Sequence, residues 1–88
     1  MMRLTVVSQT PAEMILKVEG WISGAEVALL EEEGTRLQEV ERLVLDLSGV
    51  HSIDEDGIAL LQRWSGDRLE LRGGSAFVRR LLEVNGLL

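Results

Sequence analysis

The chain has 88 residues, nine basic against fifteen acidic for a net charge of −6, no cysteine, a single histidine, and two Trp, one Phe and no Tyr as its aromatics. Without cysteine there are no disulfides, thiolate metal sites or cysteine nucleophiles, and one histidine leaves an imidazole-based metal site short of ligands. An acidic surface repels phosphate backbones, so nucleic acid is not an expected partner. A single compact domain over residues 1–88 is expected, with a core of Leu, Val and Ile. The opening MMRLTVVSQT is too short in apolar residues for a signal peptide or a membrane span, which predicts a cytoplasmic chain without membrane insertion.

Arg3–Ser8 reads as a first strand and Glu13–Glu19 as a second, in which Met14, Leu16 and Val18 alternate with Ile15, Lys17 and Glu19. Pro11 lies in the short connection, and the pair is expected to form an antiparallel hairpin. Gly24–Val40 is predicted as a helix: Val27, Leu30, Gly34 and Leu37 make one stripe, while Glu31, Glu32, Arg36 and Glu39 cover the other side. The run Glu31–Glu33 is a solvated helix face rather than a cation site. A glycine in mid-helix costs about 1 kcal/mol against alanine, so Gly34 is expected where the helix packs closely on the sheet.

Arg42–Leu47 (RLVLDL) is nearly continuously apolar and predicts a central strand buried on both faces, ending in a turn. Glu55–Trp64 reads as a short helix with Ile58, Leu60, Leu61 and Trp64 inward, Arg68–Arg72 as a further strand, and Ser75–Val84 as a last helix. Ser75 is its expected N-cap, Val78, Leu81 and Leu82 its buried side, and Asn85-Gly86 its stop. The order β-β-α-β-α-β-α implies an α/β fold: a mixed sheet with helices packed on it.

The segment Leu43–Leu61, LVLDLSGVHSIDEDGIALL, carries the most information. It runs from a buried strand through a turn, makes a brief apolar stop at Val50 and Ile53, and enters a helix through Asp54-Glu55-Asp56-Gly57. Asp54 is the expected N-cap, and Glu55 and Asp56 sit at the positive end of the helix dipole. Gly57 removes a side chain from the first turn, which would leave the backbone accessible to an anion or a partner. A well-capped helix accounts for the same residues without any function.

This segment resembles the STAS family, named for sulfate transporters and anti-sigma-factor antagonists. The resemblance rests on a buried strand, D-L-S-G-V, an apolar residue and D-x-x-G-[LI]-A-x-L; Gly20 closing the second strand and LELRGGSAFVRRLLEVNGLL at the end extend it over nearly the whole chain. It implies a regulatory domain that binds a protein partner and is not an enzyme. In the family's antagonists, the Ser or Thr immediately before the glycine of D-S-[ST]-G is phosphorylated by an anti-sigma kinase. Here that position is Asp56, preceded by Glu55, and neither has a hydroxyl. A phosphoserine adds about −1.5 to −2 charges and can be removed, whereas aspartate is permanently charged. No phosphorylation is expected at the family position, and the switch is absent or fixed. Ser48 and Ser52 lie nearby, and each reads as a turn former.

The resemblance implies an interface over Ser52, Asp54, Glu55, Asp56 and Gly57, with Ala59, Gln62 and Arg63 on the following helix. The expected partner is an anti-sigma factor or switch kinase; the alternative is the ATPase of an ABC lipid transporter, to which stand-alone STAS subunits also bind. A third possibility is a phosphoacceptor enzyme using Asp46, with Asp54 and Asp56 holding Mg²⁺. Against it stand a chain too short for five βα units and a single lysine, Lys17, placed in the second strand. Asp46 is better explained as a turn residue bonding backbone N–H groups. No cofactor or metal is expected. His51 has no triad partners and reads as a turn or strand-edge residue, and Gly73-Gly74-Ser75 as a turn into a capped helix. Trp64 is expected in the core; Trp21 is either core or an exposed anchor.

Overall fold

A computed structural model describes residues 1–36 and 40–88. Those residues form β1 (Met2–Gln9), β2 (Glu13–Ile22), α1 (Ala25–Arg36), β3 (Arg42–Ile53), α2 (Glu55–Trp64), β4 (Leu69–Arg72) and α3 (Ala76–Val84). The sheet order is β1-β2-β3-β4, with β1 antiparallel to β2 and the other neighbours parallel. This is the predicted α/β arrangement, in the predicted order. The β1–β2 hairpin turns at Thr10-Pro11-Ala12, where the Thr10 amide donates to Glu13 O (2.8 Å) and Thr10 Oγ1 accepts from the Glu13 amide (3.0 Å).

One continuous core joins Leu16 and Val18 of β2 and Leu45 and Leu47 of β3 to Val27 and Leu30 of α1, Ile58, Leu60 and Leu61 of α2, and Val78 and Leu82 of α3. All three helices therefore contribute to the same core layer, on one face of the sheet. The opposite face carries Lys17, Asp46, Glu70 and Arg72, with Val44 buried in register between Ile15 and Glu70. Burial of β3 on both sides thus holds at Val44, while Asp46 on the same face is half-exposed.

Three local expectations are corrected. β3 does not turn after Leu47 but continues to Ile53. Its pairing with β2 slips between Asp46 and Gly49 and again between Val50 and Ser52, so β3 has one extra residue at each place. Each bulge resets the alternation, and Leu43, Leu45, Leu47, Val50 and Ile53 all face the helices despite their uneven spacing. β2 likewise runs past Gly20 to Ile22; Gly20 has φ +94°, and a Cβ there would overlap the Met1 carbonyl.

Gly34 packs against another helix, not the sheet: a Cβ would overlap the indole ring of Trp64 on α2. Trp64 itself is half-buried against the core, as expected. The helix containing Gly34 is described to Arg36, and Val40 lies buried beyond it. Leu37, Glu39 and the side chain of Arg36 lie outside the described residues.

Candidate functional site

The β3–α2 junction is built around Asp54. Its backbone amide donates to Ile22 O (3.0 Å), which continues the β2–β3 pairing to the end of both strands. Its Oδ1 accepts from the Gly57 amide (2.9 Å) and caps α2, while Oδ2 accepts from the Gly24 amide (3.0 Å) in the turn leading to α1. One carboxylate therefore ties the starts of two helices to the end of the sheet. These amide bonds, first Gly57 and then Gly24, hold the Asp54 carboxyl below its ordinary pKa. The N-cap was legible in the sequence. The bond to Gly24, thirty residues away in the chain, was not.

With Asp54 engaged, Glu55 and Asp56 are exposed in the first turn of α2. Gly57 is buried, contrary to an accessible backbone: a Cβ would lie 2.7 Å from Ile53 Cγ2 and 2.9 Å from both Ile22 Cγ2 and Ile22 O. Its missing side chain lets α2 sit down on the ends of β2 and β3. Ser52 is half-buried and in register with Trp21, whose side chain is 55% exposed; that selects the surface alternative for Trp21 over the core.

Along α2, Ala59, Gln62 and Arg63 are exposed. Arg63 pairs with Glu31 of α1 (2.8 Å), and Gln62 Nε2 donates to Asn85 O beyond α3 (3.2 Å). Glu55 to Gln62 follow helical spacing along the flank toward α3, so the acidic turn opens onto a groove between the two helices. That groove, of about 490 Å³, is lined by Ile53, Ile58 and Leu81 among others. Sequence reading assigned Leu81 to the core and did not mark Phe77 and Val84 of α3, both largely exposed; their 77-81-84 spacing was the available signal.

Asp46 lies at the first β3 bulge rather than in a turn, and its Oδ1 accepts from the Ser48 amide (3.0 Å), the kind of backbone bond expected of it. Hydrogen bonds from Ser48 lower its pKa. His51 is exposed within β3, and Ser75 caps α3 by accepting from the Val78 amide (3.1 Å).

Residues 5–88 match the family model described as "Mlab, STAS domain". The chain belongs to the STAS domain family. Among solved structures, this STAS domain is similar to the anti-sigma-factor antagonist SpoIIAA in its unphosphorylated form, with a TM-score of 0.76 and 18% identity over 99% of this chain and 82% of that one. It is also similar to the antisigma-factor antagonist STAS domain from Rhodobacter sphaeroides, with a TM-score of 0.59 and 24% identity over 88% of this chain and 95% of that one. At such identities the likeness concerns the fold. No curated protein sequence matches the chain. Among the described residues, no helix is long and apolar enough to cross a membrane.

Proposed function

We propose that this STAS domain is a non-enzymatic, cytoplasmic regulatory module of the anti-sigma-factor-antagonist type, which binds a partner through the β3–α2 junction and works without a phosphorylation switch. The observation that carries the reading is the carboxylate turn: Asp54 is locked by two backbone amides, and Glu55 and Asp56 are held exposed beside it. A recognition loop fixed in this way loses little conformational entropy on binding. Ser52, Asp54, Glu55 and Asp56 form the proposed contact turn, and Ala59, Gln62 and Arg63 extend it along α2. Gly57 contributes by letting α2 seat closely. The likeness of fold to two anti-sigma-factor antagonists supports a switch kinase or anti-sigma factor as partner.

The absence of a hydroxyl at position 56 favours a second reading, in which the domain docks on the ATPase of an ABC lipid transporter and needs no kinase cycle. Affinity capture from native lysate with the wild type and Asp56→Ser separates the two. In the first reading a histidine-kinase-like ATPase is recovered, Asp56→Ser tightens its binding, and ATP then releases the variant but not the wild type. Recovery of an ABC ATPase, with Asp56→Ser indifferent to ATP, selects the second. If neither ATPase is retained, both readings fail.

A further inference from the structure

We draw no further inference here: the strongest candidate, the apolar surface patch of α3 at the exposed Phe77 and Val84, carries none because nothing in the structure shows what covers it.

Discussion

Asp54 concentrates two roles in one carboxylate. Capping α2 is local and follows from residue type and position, since a side-chain oxygen at the N-cap accepts from a first-turn amide that has no helical partner. Bonding Gly24 is long-range and fixes where α1 begins relative to α2. Replacing Asp54 with alanine should lower unfolding stability by about 0.5–2 kcal/mol in urea, toward the upper end because two amides lose their acceptor. A change near zero would mean that the cap does not stabilise the fold. The pH dependence has a definite sign. Asp54 and Asp46 both have folded pKa values below their ordinary 3.8, so the unfolded chain binds more protons as the medium is acidified. Their stabilisation is complete above that ordinary value and is lost as pH falls through the depressed folded values. Asp54→Asn should therefore flatten the acid limb of the stability profile; an unaltered limb would remove Asp54 from the account.

Among the elements, the α1–α2 contact is the least conventional. Gly34 and Trp64 interlock, and Arg63 pairs with Glu31 on the exposed side of the same contact. Gly34→Ala sets two effects against each other. Helix propensity favours alanine by about 1 kcal/mol, while forcing a methyl into the indole costs about 1–3 kcal/mol. The indole has to move, so a net loss of about 1 kcal/mol and an altered Trp64 emission are expected, read by denaturant titration with fluorescence. The double variant Gly34→Ala/Trp64→Leu should recover the loss. A gain in the single variant would show that the two helices separate at no cost. β3 teaches a different lesson at this scale. Its alternation is clear from Leu43 to Leu47 and then breaks, because each bulge adds a residue that side-chain periodicity counts as a change of face. The apolar spacing at Val50 and Ile53 therefore resembled a turn, although both residues face the same core as Leu45 and Leu47.

In the molecule as a whole, stability resides on one side of the sheet. The helix-covered face holds the fully buried leucines, whereas the other face has exposed ion pairs among Arg42, Glu13, Glu70 and Arg72. Leu45→Ala should cost about 2–5 kcal/mol, since it leaves a cavity in a thin core. Arg42→Ala should cost under about 1 kcal/mol, because exposed pairs gain little over hydration. Urea midpoints of the two variants test the asymmetry, and similar losses would contradict it. This division also accounts for the acidic turn and the α2–α3 groove lying on the helical layer, where side chains are positioned by a rigid core.

Sequence alone determined the order of elements, the hairpin, both N-caps and the STAS resemblance, because capping, turn chemistry and periodicity act within a few residues. Only the tertiary structure decided that Gly57 is buried rather than accessible, that Gly34 meets a tryptophan, that Asp54 reaches Gly24, and that Phe77 and Val84 stay exposed on α3. Those outcomes depend on which distant segments meet. Glycine has no side chain to mark its neighbour, and an apolar helix residue looks alike in sequence whether a partner element covers it or not.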